Sequence, residues 1–330
     1  MIESVWQQRG VAAWMLYPLS LLFAAIAATR RLLFKLNILK SYPSAVPIIV
    51  VGNITVGGSG KTPTVIWLCS ELKRLGKNPG IISRGYGGQA EIWPQDVTAE
   101  SAPQMVGDEA VLLSTRTGCP MVVGPDRVAA AQMLHDKHGV DIIISDDGLQ
   151  HYRMQRDIEL VIIDGKRRFG NRFLMPAGPL REPVRRLKSV DFVINNGGEA
   201  ISGQQQEIEM RLQPATLYNL KSGEQIEVAD FIERFGNSVH AVAGIGNPVR
   251  MFNLLSELGF NVTEHPFTDH HPFQPVDLEL LPELPIIMTE KDAVKCTQFA
   301  TENHWALPIE AQLPEGFAEK IIQQLENKHG

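Results

Sequence analysis

Residues 48–64 read IIVVGNITVGGSGKTPT. Ile48, Ile49, Val50 and Val51 are apolar, mostly β-branched residues in a row, the pattern of a parallel strand buried on both faces. Gly57, Gly58 and Gly60 then make a loop, and Lys61 opens a helix that tolerates Pro63 because its first turn needs no N–H there. Strand, glycine loop and helix in that order make a phosphate-binding loop. Glycines let backbone N–H groups turn toward a polyphosphate and the helix N-terminus adds positive charge. Lys61 reaches the outer phosphates, and the Thr62 hydroxyl can ligate Mg²⁺. The usual pattern G-x-x-x-x-G-K-[ST] puts a glycine five residues before Gly60, where this chain has Thr55. A glycine-rich turn with an exposed lysine is the alternative, and it leaves the Lys61-Thr62 pair unexplained. The nucleotide contacts expected from this stretch are Thr55, Gly57, Gly58, Ser59, Gly60, Lys61, Thr62 and Pro63.

A second signal lies at residues 140–151, VDIIISDDGLQH, where a buried strand ends in Asp146-Asp147. In phosphate-loop enzymes a carboxylate at such a strand end holds Mg²⁺. The alternative is an Asp-Asp-Gly turn of purely structural use. Gln150 and His151 follow closely enough to line the same pocket. Gly107-Asp108-Glu109 opens another helix. Acidic residues suit a first helical turn, but two beside a phosphate site can also divide metal binding from proton abstraction. Arg84 follows a short strand on a glycine-rich turn, and Arg127 follows Asp126, which can cap a helix.

The 330 residues are 44% hydrophobic and 21% charged, enough for two cores. A formal net charge of -6 argues against a dedicated nucleic-acid binder. Three scattered cysteines suggest neither disulfides nor zinc, and fit a reducing, cytoplasmic setting.

Residues 11–28, VAAWMLYPLSLLFAAIAA, are almost wholly apolar and precede Arg30, Arg31, Lys35 and Lys40. Pro18 and Ser20 interrupt the run. Three readings stand: a helix in the membrane interface with Trp6, Trp14 and Tyr17 at headgroup level, a spanning helix, or a helix buried in the protein. Glu3 and the nucleotide site argue against a secretory signal. The expected fold is α/β: a mostly parallel phosphate-loop sheet with helices on both faces over residues 41–205, behind an N-terminal membrane-interface helix at 1–40. From about Gln204 the chain alternates apolar and polar around Ser222-Gly223, a ribbon leading into a smaller α/β domain at 206–330. There Asp269-His270-His271 sits on a loop, placed for an orienting or proton-relaying role in a cleft between domains.

Together GGSGKTP, SRGYGG, VGDEA, VGPDR, SDDGLQH, AGPLREP, AVAGIGNP, DHH and TEKDAVK, in this order behind an apolar helix, resemble the tetraacyldisaccharide 4'-kinase family of lipid A biosynthesis. The resemblance spans the chain to about Lys295, and the family's loop accepts a residue other than glycine where Thr55 stands. It implies an ATP- and Mg²⁺-dependent kinase that phosphorylates the 4'-hydroxyl of a lipid-linked acyl-disaccharide 1-phosphate, giving lipid IV(A). It implies a monomer on the cytoplasmic face of the inner membrane, peripheral or monotopic, with no nucleic-acid partner. On the matching positions Lys61 and Thr62 would hold phosphates and Mg²⁺, with Asp146, Asp147 and Glu109 around the metal. Asp108, supported by His270, would be the base. Arg84, Arg127, Arg181 and Glu182 would contact acceptor, and Gln150 nucleotide. The rivals are a membrane-associated ATPase or GTPase switch, which lacks an N-K-x-D base motif here, and a soluble small-molecule kinase whose apolar N-terminus is core.

Lys61→Ala removes the only cation built into the loop. Turnover of ATP in the presence of acceptor should fall at least ~10²-fold, and a rate within a few-fold of wild type would sink the phosphate-loop assignment.

Overall fold

The protein is described here by a computed structural model that covers residues 2–198, 207–279 and 284–329. Helices α1 (Ile2–Gln7) and α2 (Val11–Lys35) precede strand β1 (Ile48–Gly52). The chain continues through α3 (Lys61–Arg74), β2 (Pro79–Ser83), β3 (Gln95–Val97), α4 (Pro103–Val106), α5 (Asp108–Thr117), β4 (Met121–Val123) and α6 (Arg127–His138). Then come β5 (Ile142–Asp146), β6 (Ile158–Asp164), β7 (Phe192–Asn196) and β8 (Glu207–Pro214). A second set runs β9 (Leu217–Asn219), β10 (Gln225–Ile226), α7 (Val228–Phe235), β11 (Ser238–Ala243), α8 (Pro248–Glu257), β12 (Asn261–Pro266), α9 (Pro275–Glu279), β13 (Ile286–Thr289), α10 (Glu290–Cys296) and β14 (His304–Leu307). Strand β15 (Ile309–Gln312) and helix α11 (Phe317–His329) end the chain.

Nine strands form the larger sheet, in the order β15-β8-β7-β6-β1-β5-β2-β4-β3. From β8 to β4 every pairing is parallel, and only the outermost strands β15 and β3 run antiparallel. All five residues of β1 are buried, so both faces need covering. Ile49 and Val51 face a core completed by α3, α5 and α11, and Ile48 and Val50 face one completed by α6 and the segment 149–190. Helices and packed loops on both faces are the arrangement expected for a parallel sheet. The hexad β10-β9-β14-β13-β11-β12 forms the smaller sheet, which carries α7 and α8 on one face and α10 on the other.

The strands are not shared out as the sequence suggested. The expected boundary at 205 and 206 lies outside the described residues, but β8, β15 and α11, all expected in the smaller domain, belong to the large sheet. The reason lies at the edge: β15 pairs antiparallel with β8, and Phe317, Ile321 and Leu325 cover the face beneath α3. The chain therefore crosses between the sheets twice, at Ala215 and at Pro308, where the Ala215 N–H donates to the Pro308 carbonyl at 3.0 Å.

Helix α2 runs unbroken through Pro18. Ala13 and Ser20 are its buried residues, and the Ser20 hydroxyl donates to Leu174 O at 2.7 Å and accepts from Ala177 N at 2.9 Å. Trp14 and Tyr17 pack on Phe173. Along most of its length the apolar surface is bare: Met15, Leu22 and Ile26 are 77%, 59% and 61% exposed. The helix is thus no core element, which removes the reading of a soluble kinase with a buried N-terminus. It is long and apolar enough to cross a membrane by length and composition.

Candidate active site

The ends of β1, β5, β6 and β7 meet on one edge of the large sheet. Register places Val51 beside Asp146, and Asp164 beside Asn196. Past β1 the chain turns through the glycine loop into α3, with Gly57 at φ +97° and Gly60 at φ +100°. Thr55 does not lie in the left-handed region. Its backbone bridges to Leu180, and the Val56 N–H donates to Pro179 O at 2.8 Å. The loop's entry is an extended strand that any residue can adopt, so no glycine is needed there. Ser59 is buried within the loop, while Thr62 and Pro63 open α3 beside Lys61.

Asp147 takes a positive φ of 47° and sits between two cations. Lys61 Nζ lies 3.6 Å from its Oδ1, and Arg181 donates to both carboxylate oxygens, at 3.1 and 2.9 Å. Burial pushes its carboxyl up, yet Lys61 and Arg181 more than offset this and hold it below the usual range. Asp146 is the opposite case. Its Oδ2 accepts from Ser83 Oγ at 3.4 Å, and its buried Oδ1 has no partner among the described residues. Burial, then the charges of Glu109 and Asp147, raise its pKa to about 7. An orphaned carboxylate oxygen near a second carboxylate, in the same cleft as the Thr62 hydroxyl, suits a hard cation, which needs few protein ligands when phosphates supply the rest.

From the small lobe, the loop after β12 brings His270, at φ +59°, onto the start of α5. His270 Nδ1 lies 3.0 Å from Asp108 Oδ2, and Asp108 Oδ1 accepts from Glu109 N–H at 2.8 Å. Burial opposes ionisation of Asp108, but His270, Lys291 and Lys295 keep it charged, its pKa below normal. The hydrogen bond to Asp108 raises the His270 pKa. Glu109, expected near a metal, lies close enough to act on Asp146 and is also held by Lys291 at 3.2 Å, and Lys291 reaches Asp269 at 3.3 Å. The TEKDAVK stretch thus supplies the cations behind Asp108 and Glu109, which sequence reading did not foresee. Nothing short of the tertiary fold brings α10 against α5.

Four other residues line the same cleft, of about 1690 Å³, in different roles. Arg127 is buried and donates to Gly124 O at 3.1 Å, and burial lowers its pKa to about 10 against the pull of Asp146 and Asp147. Arg84 is exposed on its rim. Gln150 and Glu182 are committed to the scaffold. Gln150 Nε2 donates to Asn53 O at 3.1 Å and to Glu182 Oε1 at 2.9 Å, while the Tyr152 hydroxyl donates to Glu182 Oε2 at 2.6 Å. Helix α2 forms a wall of this cleft through Phe23, Ile26, Ala27 and Arg30. One cavity therefore joins the phosphate loop, an apolar helix and His270, with the buried Asp108 directly behind His270.

The Tetraacyldisaccharide-1-P 4'-kinase family profile matches residues 12–326. This chain belongs to that family. A tetraacyldisaccharide 4'-kinase of Tolumonas auensis is 48% identical over 333 residues, covering 100% of this chain and 99% of the relative. One from Methylobacillus flagellatus is 50% identical, covering 98% and 96%. Among solved structures, the LpxK protein of Aquifex aeolicus in complex with ATP superposes with a TM-score of 0.81 at 28% identity, covering 96% of this chain and 98% of that one.

The Asp108–His270 pair has a pH signature. The raised His270 pKa means its contribution to stability is complete below the ordinary histidine value of about 6.5 and is lost as pH rises through the raised value. The lowered Asp108 pKa means its share disappears only as pH falls through the carboxylate range. The melting-temperature gap between wild type and His270→Ala should be widest near about pH 5 to 6 and narrow by about pH 9. A gap independent of pH would show that the pair is not charge-linked.

Proposed function

We propose that this kinase transfers the γ-phosphoryl group of ATP to the 4'-hydroxyl of a tetraacyldisaccharide 1-phosphate, releasing ADP and a proton and giving lipid IV(A). The observation that carries the reading is the single cavity in which the phosphate loop, His270 backed by Asp108, and the apolar wall of α2 meet. An ATPase switch would need neither a carboxylate–histidine pair at the cleft nor an apolar wall beside it. Family membership points the same way.

Lys61 and the loop amides bind the outer phosphates, and Arg181 keeps Asp147 aligned with Lys61. Thr62, Asp146 and Asp147 would hold Mg²⁺, with the Glu109 charge behind them. When bound, the ion neutralises charge on the transferring phosphoryl group. Asp108, kept ionised, orients the 4'-hydroxyl and accepts its proton as the O–P bond forms, and His270 fixes the carboxylate's angle. Arg84 and Arg127 stand on the cleft wall to meet anionic groups of nucleotide or acceptor. The uncovered face of α2 lies in the interface of the inner membrane's cytoplasmic leaflet, with Arg30, Arg31 and Lys35 on anionic headgroups, and the protein acts there as a monomer.

Label from γ-labelled ATP should enter a chloroform-soluble product only when acyl-disaccharide phosphate is present, and phosphate release at the same rate without acceptor would favour an ATPase. Asp108→Asn should lower kcat about 10²- to 10⁴-fold without changing the Mg²⁺ concentration for half-maximal rate, whereas Asp146→Asn should raise that concentration. Rescue of Asp108→Asn by extra Mg²⁺ would make Asp108 a metal ligand instead of a base.

Leu22 and Ile26 are exposed, so Leu22→Glu with Ile26→Glu leaves the docking of α2 on Phe173 intact. The double variant should move from sedimenting vesicles to the supernatant with its melting temperature unchanged. Retention on vesicles would count against an interfacial helix.

A further inference from the structure

Four consecutive carbonyls of the phosphate loop are hydrogen-bonded, three of them by side chains at the strand ends and the fourth by the first turn of α3. Asn53 Nδ2 donates to Gly57 O at 3.3 Å, Arg167 Nη2 to Gly58 O, and Asn196 Nδ2 to Ser59 O at 2.9 Å. The fourth, Gly60 O, accepts from the Thr64 N–H and hydroxyl at 3.2 and 2.8 Å. By contrast, the N–H groups of Gly58, Ser59, Gly60 and Lys61 donate to nothing among the described residues. The three donor side chains come from different strands. Asn53 directly follows β1, Asn196 ends β7, and Arg167 stands three residues past the end of β6. Arg167 is itself anchored, its Nε donating to Asp164 Oδ2 at 2.9 Å and its own N–H to Asp164 Oδ1 at 2.9 Å.

A trans peptide is planar, with its C=O and the following N–H pointing in opposite directions. Pinning the carbonyls of Gly57, Gly58 and Ser59 on the outer side therefore turns the N–H groups of Gly58, Ser59 and Gly60 to the inner side. There a nest of N–H groups binds anions. We propose that Arg167 and Asn196 are positioning residues that, with Asn53, hold the empty loop in its phosphate-binding form by clamping its carbonyls. The inference rests on reading this loop as the nucleotide phosphate site.

The clamp also accounts for which glycines the loop requires. A Cβ on Gly60 would lie 2.8 Å from Asn196 Nδ2, and one on Gly57 would lie 3.1 Å from Arg167 Nη1. At Gly58 a Cβ would meet nothing within 4 Å. The two positive-φ glycines are the two against which the clamping side chains pack. A loop that needs no reorganisation on binding loses less free energy to ordering.

Arg167→Met and Asn196→Leu should each raise the Kd for MgATP, and in parallel for Mg-triphosphate, about 10-fold. The KM for acceptor should stay the same and kcat should remain within about 3-fold, the pattern of lost uniform binding. Arg167→Lys, which can still donate to Gly58 O, should restore most of the affinity. In the ligand-free protein the amide resonance of Ser59 should move in Arg167→Met, and that of Gly60 in Asn196→Leu, because each N–H shares a peptide plane with the freed carbonyl. The Arg167 side chain is 43% exposed, so its variants keep the fold even if Asn196→Leu does not. Unchanged Kd values, a ligand-free Ser59 resonance that stays in place, or ATP weakened while triphosphate is not would each overturn the clamp. Wild-type protein that binds neither ligand would instead overturn the phosphate-site reading itself.

Discussion

Parallel pairing of β1 with β5 on one side and β6 on the other is the constraint from which the site follows. Parallel strands deliver all their C-terminal ends to one edge, and strands buried on both faces have nowhere along their length for polar side chains. Polar residues therefore gather at strand ends: Asn53 after β1, Asp146 and Asp147 at β5, Asp164 at β6, Asn196 at β7. Their concentration there creates the costs seen in the site. Asp146 titrates near neutrality because it is buried beside like charges, and Asp147 takes a left-handed backbone conformation to face its two cations. Strain and desolvation of this kind persist at sites where function needs them.

The small lobe adds to this edge rather than building a site of its own. It contributes the loop carrying Asp269 and His270, helix α8, whose Arg250 lies 3.8 Å from Asp164, and helix α10, which packs against α5. Charged contacts stitch the seam: Arg116 to Glu290, Lys291 to Glu109, Lys295 to Asp108. Pairs that keep partial contact with water are individually weak. Their value here is geometric, because the carboxylate at Asp108 is aligned from one side by its own helix and from the other by His270.

Much of the large sheet could be read from the chain, because unbroken apolar runs such as 48–51 and 142–144 admit little besides buried strands, and the glycine loop between β1 and α3 has a local chemistry. Asp108 with His270 was also legible as a pair, though only through the family's motifs. What sequence did not disclose was anything set by long-range packing. The return of β15 to the large sheet, with α11 behind it, is decided by an open edge at β8, whose partners lie 95 to 101 residues away in the chain. Lys291 has no evident partner in the sequence until α10 meets α5. Gln150, expected at the pocket from its closeness to Asp147, and Glu182, expected there from the family's motifs, line the cleft and also brace Asn53 and Tyr152. Pro18 interrupts the apolar run in sequence, and α2 nonetheless continues through it.

That late return of the chain governs the order in which a ribosome can complete the molecule. The small sheet draws its strands from residues 217–307 and can close once they have emerged. The large sheet, begun at Ile48, lacks an edge strand and the helix over its central face until residue 325 is out of the exit tunnel. Until residue 177 has emerged, the apolar helix at 11–35, translated first, lacks part of its docking surface, since Phe173 and Ala177 lie more than 130 residues downstream. A nascent chain with such an unshielded segment binds whatever apolar phase is at hand. The helix at 11–35 thus stands uncovered before any catalytic edge exists.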